Sequence, residues 1–414
     1  MCLRALLVDF NSYFASVEQQ LRAELRGKPL AVAPVLTDST CCIAASYEAK
    51  KFGIKTGTRI SLARRICPEL EVVEARPQIY VEMHHKLVAV IESCIHVEEI
   101  LSIDEMRCEL TGALRQREHA EALAFHIKKS IAEKIGAHLR SSIGIAPNAF
   151  LAKAASDMQK PDGLVVIEKP MLPDCLFKME LRDFCGIGPR MERRLRAAGI
   201  HTVEALCAAP RGQLRGIWGG VEGERMHLAL RGEPVQRAPT RKRMLGHSHV
   251  LAPEQRHDPD ALAVLHRLLQ KAAMRLRAMN LLTSGMQLFI EYAQIGGYCE
   301  EVRFLETCDT IELLRVLREL WERRPRAGKP PIMVGVDLLN LVEENNYTPS
   351  LFQPARTEIS IGESEARRDL FARVDALNRR FGKNAVYFGG SHNALKSAPM
   401  RIAFNRIPDL ETEE

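Results

Sequence analysis

The feature that most constrains the fold of this chain is a short apolar run near its N-terminus, residues 4–10. Its sequence, Arg-Ala-Leu-Leu-Val-Asp-Phe, predicts a buried β-strand that ends in an acid, Asp9. Asn11 or Ser12 stands where the N-cap of a following helix is expected, and that helix should run to about Leu25. A buried strand must lie within a sheet, so the run favours a fold that contains both sheet and helix.

A second pattern predicts a β-hairpin over residues 98–111. Its second half alternates with the strand period of two, with Met106, Cys108 and Leu110 between Glu105, Arg107 and Glu109. Asp104 and Glu105 are expected at the start of the hairpin, in Leu101-Ser102-Ile103-Asp104-Glu105. Neighbouring residues of an ideal strand point to opposite faces, so these two acids can share a ligand only if the backbone bends between them. Further along the chain, residues 141–146 predict another strand, and Asn148 is expected to cap a helix that runs to about Met158.

Three acids at the ends of adjacent strands, Asp9, Asp104 and Glu105, would form a negatively charged pocket of oxygen atoms. Such a pocket suits Mg²⁺, which prefers carboxylate and phosphate oxygens. Two ions about 3.5–4 Å apart can activate a hydroxyl and stabilise a leaving pyrophosphate. Taken singly, each acid is more often an ordinary charged residue at a strand end.

The composition limits the class of protein. With 414 residues, 46% apolar and 27% charged, the chain is typical of a globular protein of two to four domains. The mean hydropathy is −0.13 and no apolar run reaches about 18 residues, so we expect no transmembrane helix and a cytoplasmic protein. Eleven scattered cysteines without a CxxC indicate neither a disulfide framework nor a zinc site.

The second half of the chain changes in character. Two short helical segments flank Cys185-Gly186-Ile187-Gly188-Pro189, where Pro189 suits the first position of a helix and Gly199 suits its C-terminal end. A basic, proline-containing linker follows at 233–243. The pattern beyond it predicts a β-α-β-β-α-β module, with strands at 243–250, 284–292, 300–305 and 332–342 and helices at 259–279 and 309–323. A helix over 366–381 and a short strand at 386–388 are expected in the tail.

Several segments in one order resemble the Y-family of lesion-bypass DNA polymerases of the DinB/UmuC type. They are Val8 to Glu18, Tyr47 to Ile54, Ser102-Ile103-Asp104-Glu105, Ser142 to Ala146, and Lys153 to Asp157 with Lys160-Pro161-Asp162-Gly163. The resemblance implies an α+β right-hand fold. It places a palm at 1–17 and 76–168, fingers at 18–75, a helix-hairpin-helix thumb at 169–235, a little finger at 241–343 and a C-terminal tail at 344–414.

The same resemblance implies roles for single residues. Asp9, Asp104 and Glu105 fall on the catalytic metal ligands, with the carbonyl of Phe10 as a further ligand for two Mg²⁺ ions. Phe14 falls on the steric gate against a 2′-hydroxyl, although spacing alone favours a core aromatic. The triphosphate-binding set is Tyr47, Lys50 and Lys160.

Some positions depart from the family pattern. Lys50 replaces the usual arginine and offers a point charge without a bidentate fork. Ala44 replaces a common hydroxyl residue, and Met106 begins a segment that differs from the usual sequence. We expect these departures to alter efficiency or nucleotide choice and to leave the chemistry intact.

The expected DNA contacts lie further along the chain. Gly186, Ile187 and Gly188 resemble a helix-hairpin-helix motif, in which glycines allow close approach to a phosphate, and Arg190 lies just beyond. Arg241, Lys242 and Arg243 at the entrance of the little finger can neutralise phosphates. The alternative for the hairpin is a plain interhelical turn.

Two further features have weaker interpretations. The segment 347–352 ends in Leu351 and Phe352 and resembles the peptides by which bacterial polymerases bind the sliding clamp; packing against the chain's own tail is the equal alternative. His247 and His249 share one face of a predicted strand without a third ligand, which favours surface or DNA-facing histidines over a metal pair.

The functional expectation is a DNA polymerase for translesion synthesis and repair that uses primer–template DNA and dNTPs. By resemblance, it has low fidelity and no proofreading, and we expect a monomer with no membrane contact. The alternatives are a non-catalytic DNA-binding subunit of a bypass complex and a nucleotidyl cyclase with a palm-like sheet. The intact acids argue against the former, and the hairpin and basic module have no use in the latter.

Overall fold

The computed structural model describes residues 3–38, 40–235, 243–325, 328–346, 361–382, 384–395, 397 and 407. The chain divides near residue 238 into two units. Among the described residues, no helix is long and apolar enough to cross a membrane.

The first unit contains eight strands and ten α-helices among its described residues. The strands are β1 (Ala5–Phe10), β2 (Leu30–Ala33), β3 (Ala44–Ala45), β4 (Glu71–Glu74), β5 (Val97–Ile100), β6 (Glu105–Glu109), β7 (Ser141–Ala146) and β8 (Leu164–Val166). The helices are α1 (Tyr13–Leu21), α2 (Tyr47–Lys50), α3 (Ile60–Ile66), α4 (Pro77–Glu92), α5 (Arg117–Lys134), α6 (Ala149–Met158), α7 (Pro189–Ala197), α8 (Val203–Ala208), α9 (Arg211–Trp218) and α10 (Val221–Ala229).

The predicted N-terminal strand lies at the centre of a five-stranded sheet of order β5-β6-β1-β7-β8. All six residues of β1 are buried, and the strand runs antiparallel to both β6 and β7. In this register Asp9 is opposite Glu105 on one side and Ser142 on the other. The sheet thus brings the acids at positions 9 and 105 together at one edge of the β1–β6 pair.

Helix α6 packs directly on this sheet. Asn148 caps the helix as predicted, because its side chain accepts a hydrogen bond of 2.9 Å from the amide of Leu151. A Cβ atom on Gly144 would lie 2.0 Å from the carbonyl oxygen of Ala152, so only a glycine in β7 permits this approach. This close packing sets the distance between α6 and the sheet that contains β1.

The start of α1 differs from the prediction. Ser12 occupies the N-cap with φ 49° but makes no capping hydrogen bond, and the helix ends at Leu21 before a short 3₁₀ turn. Asn11 donates to the hydroxyl of Ser142 at 3.1 Å and accepts from the amide of Asp162 at 2.8 Å. The side chain of Asn11 therefore joins β1 to the loop after α6, which local sequence could not indicate.

Two smaller groups complete the first unit. Strands β3, β2 and β4 form a separate three-stranded sheet, whose strand β4 the sequence analysis had not predicted. Helices α7 to α10 follow the glycine hairpin. Pro189 opens α7 and Gly199, at φ 82°, follows its end, as expected.

The second unit confirms the β-α-β-β-α-β order. Its elements are β9 (Met244–Val250), α11 (Asp258–Ala278), β10 (Leu281–Tyr292), β11 (Gly296–Thr307), α12 (Thr310–Arg323), β12 (Pro331–Leu339), β13 (Val342–Glu343) and the tail helix α13 (Ile361–Phe381). The main sheet has the order β11-β10-β12-β9, with β13 paired to β10. The apolar faces of α11 and α12 share one hydrophobic core with the sheet.

The described part of the tail packs on α11. Asp375 of α13 accepts two hydrogen bonds from Arg277, at 2.7 and 2.9 Å, and the guanidinium lies 5.1 Å from the centre of the Phe371 ring. The predicted strand at 386–388 does not form. The side chain of Asn378 binds both the amide and the carbonyl of Val386 at 2.9 Å, so these groups are unavailable to a sheet.

The two histidines of β9 are not surface residues. His249 is buried, and His247 lies 3.0 Å from a guanidinium nitrogen of Arg275 on α11. Burial, with the nearby charge of Arg275, lowers the pKa of His247 to about 3. The expectation of exposed or DNA-facing histidines was wrong because their face of the strand is the one that α11 covers.

Candidate active site

The three predicted acids lie on or next to two adjacent strands. Asp9 is near the end of β1, and Glu105 opens β6 directly opposite. Asp104 precedes the strand, and its carbonyl accepts a 2.9 Å hydrogen bond from the amide of Phe10. The chain bends before Glu105, whose carbonyl accepts a 2.9 Å bond from the amide of Leu101. The bend that the sequence analysis required is therefore present next to Asp104.

Two lysines lie among these acids. The ammonium of Lys153 is 2.6 Å from Asp9 Oδ2, 3.1 Å from Glu105 Oε1 and 3.0 Å from Asp157 Oδ2. Lys160 lies 2.9 Å from Asp9 Oδ1 and 2.8 Å from Asp157 Oδ1. The sequence placed Lys153 in a family motif but gave it no role. Its spacing of four residues from Asp157 on a predicted helix could have indicated an ion pair between the two side chains.

The electrostatics of the cluster follow from burial and mutual charge. Burial raises the pKa of Asp104, and the charge of Asp9 raises it further. Burial also raises the pKa of Glu105, against the opposing effect of Lys153. Burial alone would lower the pKa of Lys153, but the surrounding carboxylates raise it above its ordinary value. The acids thus lie in an environment that favours binding of a positive charge.

The donor set fits a divalent cation. Asp9 and Glu105 already contact one positive group, Lys153, through one oxygen each. Oxygen donors of this kind suit Mg²⁺. Among the described residues, no three His, Cys, Asp or Glu side chains are gathered at metal-binding geometry. The cation between the carboxylates in this structure is instead an ammonium.

Phe14 lies in the first turn of α1 and is partly buried. Its ring stacks on Tyr80 with centroids 4.6 Å apart. The Tyr80 hydroxyl donates to the buried carboxylate of Glu18 at 2.8 Å, and Arg76 donates to the same carboxylate at 3.0 and 2.7 Å. The support of Phe14 by Tyr80, and of Tyr80 by Glu18, could not be predicted from the sequence, because these residues meet only in the tertiary structure.

The remaining nucleotide-binding candidates lie at α2 and after α6. The ammonium of Lys50 is 4.4 Å from the centre of the Tyr47 ring. Burial and then the charge of Lys160 lower the pKa of Lys50. Burial raises the pKa of Tyr47, which Lys160 opposes. Lys160 therefore acts electrostatically on both other members of the set.

The glycine hairpin is exposed at its tip. Gly186 has φ 90°, Gly188 is the N-cap of α7, and Arg190 is exposed. The side chain of Ile187 is buried and packs in the core of the first unit. Of this motif, the glycine backbone and the arginine are accessible to a ligand.

The other predicted contacts are partly outside the described residues. Arg243 is exposed just before β9. Arg241, Lys242, Leu351 and Phe352 lie outside the part of the chain that the structure describes, so their expected roles stay predictions.

Comparisons with known proteins identify the family of the chain. The impB/mucB/samB family matches residues 8–157, and the C-terminal domain of the same family matches residues 242–351. The DNA polymerase IV of Moorella thermoacetica is 31% identical over 92% of this chain and 94% of its own length. DNA polymerase IV 1 of Bacillus subtilis is 27% identical over 96% of this chain and 95% of its own.

Solved structures of Y-family polymerases have the same fold. A chimera of Dbh and Dpo4 superposes with a TM-score of 0.69 at 26% identity, over 82% of this chain and 99% of the chimera. An insertion ternary complex of Dbh DNA polymerase gives a TM-score of 0.55 at 26% identity, with the same coverage of both chains. The chain therefore belongs to the Y-family of DNA polymerases, the divalent-metal-dependent enzymes of translesion DNA synthesis.

Proposed function

We propose that this polymerase adds dNTPs to a primer 3′-hydroxyl with Asp9, Asp104, Glu105 and the carbonyl of Phe10 as ligands of two Mg²⁺ ions. The observation that carries the proposal is the position of Lys153, within 2.6 Å of Asp9 and 3.1 Å of Glu105. Two carboxylates that share one cation can share another. When bound, the ions would supply activation of the hydroxyl and neutralisation of the leaving pyrophosphate.

The residues around the acids would bind and select the nucleotide. The aromatic ring of Phe14, supported from below by Tyr80, would exclude a 2′-hydroxyl by steric overlap. Tyr47, Lys50 and Lys160 would hold the triphosphate and offset the charge that builds on it. Both lysines are exposed, so their ammonium groups are accessible to phosphate oxygens.

The folded units support the assignment of domains. We propose that the five-stranded sheet with α4 to α6 is the palm, over 1–17 and 76–168, and the sheet β3-β2-β4 with its helices is the fingers, over 18–75. Helices α7 to α10 would form the thumb, over 169–235, and the second unit would supply the little finger, over 241–343, and the tail, 344–414.

The DNA grip would come from main-chain and basic groups without base specificity. Gly186, Gly188 and Arg190 are accessible at the hairpin, and Arg243 is accessible before β9. Arg241 and Lys242, next to Arg243 in the sequence, would add positive charge at the entrance of the little finger. Contacts of this type bind phosphates of any template and weaken as salt rises.

Two proposals concern partners. All three acids come from β1 and the start of β6 of one chain, which supports action as a monomer. Leu351 and Phe352 are proposed to bind a sliding clamp. Replacing both with alanine should abolish capture by the clamp; unchanged capture would refute that role.

Primer extension tests the proposed function. Wild type and the double variant Asp104→Ala, Glu105→Ala would be compared on a plain primer–template with Mg²⁺ and dNTPs, and DNA binding would be measured for both. We expect extension by wild type only, with DNA binding by both. Binding without extension by wild type would favour the alternative, a non-catalytic subunit of a bypass complex.

A further inference from the structure

We infer that Lys153 is a built-in counter-ion of the metal site, which holds Asp9 and Glu105 together before divalent ions bind and leaves them for Asp157 when the ions arrive. This inference rests on the proposed function, because it takes Asp9 and Glu105 as metal ligands. It concerns a positioning residue, whose effect on the reaction is exerted through those ligands.

The position of the ammonium carries the first part. Lys153 Nζ contacts Asp9 Oδ2 at 2.6 Å and Glu105 Oε1 at 3.1 Å, so one positive charge joins the ends of β1 and β6. Without it, two partly desolvated carboxylates opposite each other in the sheet would repel. Lys160 cannot replace it, because the acids that Lys160 contacts are Asp9 and Asp157.

The conflict with a metal ion carries the second part. A Mg²⁺ ion binds carboxylate oxygens at about 2.0–2.1 Å. An ion held by Asp9 and Glu105 would therefore compete with the ammonium of Lys153, which now contacts both carboxylates. Two cations at this separation repel strongly in a partly buried site, so the ammonium must move.

Asp157, the carboxylate to which the ammonium would move, already contacts Lys153. Asp157 lies one helical turn after Lys153 on α6, and its Oδ2 is 3.0 Å from Nζ. The helix is held rigidly on the sheet by the contact at Gly144, so the lysine and its second partner stay together. We expect the ammonium to keep its contact with Asp157 and to release Asp9 and Glu105.

The test measures metal binding directly, with Mn²⁺ as the probe and free Mn²⁺ quantified by electron paramagnetic resonance. Lys153→Met removes the competing charge and keeps most of the side-chain volume. It should bind Mn²⁺ at least about tenfold more tightly than wild type, a difference of about 1.4 kcal/mol. Lys153→Arg keeps the charge and should remain within a few-fold of wild type.

Lys128→Met is the matched control. The Lys128 side chain is 16% exposed, against 20% for Lys153, and it also makes three contacts, with the carbonyls of Ser141 and Asp162 and with Asp162 Oδ1. None of its partners is a proposed metal ligand, so its loss should leave Mn²⁺ affinity unchanged.

A stability measurement protects the test against a loss of folding. The rise in unfolding temperature on addition of saturating Mn²⁺ should be larger for Lys153→Met than for wild type, since the variant without metal has uncompensated acids. Equal or weaker Mn²⁺ binding by Lys153→Met, with no larger temperature rise, would overturn the inference. A separate comparison tests the metal site itself. If Mn²⁺ binds the wild type and Asp9→Asn equally well, or binds neither, the proposed metal site is wrong, whatever Lys153→Met does.

Discussion

The ion pair between Glu18 and Arg76, which supports the Tyr80 ring that stacks on Phe14, gives a quantitative prediction. Glu18 is fully buried, and its carboxylate accepts two hydrogen bonds from Arg76, at 3.0 and 2.7 Å, and one from the Tyr80 hydroxyl at 2.8 Å. Arg76→Met would leave this charge buried with Tyr80 and with Arg22, whose Nε is 3.4 Å away. Breaking a buried pair by removing one partner costs about 3–5 kcal/mol.

We expect a loss of about 3 kcal/mol in the free energy of unfolding, at the lower end of that range, because Arg22 and Tyr80 remain. The protein offers a convenient probe, since its two tryptophans, Trp218 and Trp321, lie one in each unit. In a Trp321→Phe background, fluorescence of Trp218 during urea unfolding reports on the first unit, where this residue packs against the same core as β1.

The matched control is the double variant Glu18→Gln, Arg76→Met, which removes the charge together with its partner. It should be more stable than Arg76→Met alone, because a neutral amide is much less costly to bury. Two results would refute this prediction. One is a loss of less than about 1 kcal/mol for Arg76→Met. The other is a double variant whose loss equals the sum of the losses of Glu18→Gln and Arg76→Met measured singly.

Three further predictions concern the same unit. Phe14→Val should raise the ratio of rNTP to dNTP incorporation in primer extension by removing the ring that stacks on Tyr80, and an unchanged ratio would refute the steric gate. Gly144→Ala should lower both stability and extension rate, since its Cβ would lie 2.0 Å from the Ala152 carbonyl oxygen and push α6 away; wild-type values of both would contradict this. Burial lowers the pKa of His84 to about 4, below the ordinary 6.5, so the unfolded chain binds more protons between these values and stability falls as pH decreases. The loss in the free energy of unfolding caused by His84 should reach about 3 kcal/mol at pH 4, and His84→Asn should not show it. Parallel curves of unfolding free energy against pH for the two proteins would refute this prediction.

Local patterns were sufficient for the secondary structure near the site. The strand at 141–146, the cap at Asn148 and the following helix to Met158 were all predicted from sequence and are confirmed. Each depends on interactions within a few residues, namely burial of a continuous apolar strand and a side-chain hydrogen bond over three positions. The β-α-β-β-α-β order of the second unit was confirmed for the same reason.

Predictions failed where distant residues competed for a local group. Of the two expected caps, Ser12 occupies the N-cap position without a capping hydrogen bond, and Asn11 binds Ser142 and Asp162, more than 130 positions away in sequence. The expected strand at 386–388 is prevented by Asn378 from the tail helix. In both cases an amide side chain forms specific hydrogen bonds that only the folded chain brings within reach.

The sequence alone determined the types of residue at the site: three acids at the ends of predicted strands, an aromatic ring and two lysines within a recognisable order of motifs. The tertiary structure alone decided that Lys153 lies between Asp9 and Glu105 and that Tyr80 and Glu18 support Phe14. Charge and chemistry are properties of single side chains and can be read in one dimension. Distances of about 3 Å between groups on different elements depend on strand register and on how closely a helix approaches the sheet, and these are set by packing of the whole unit.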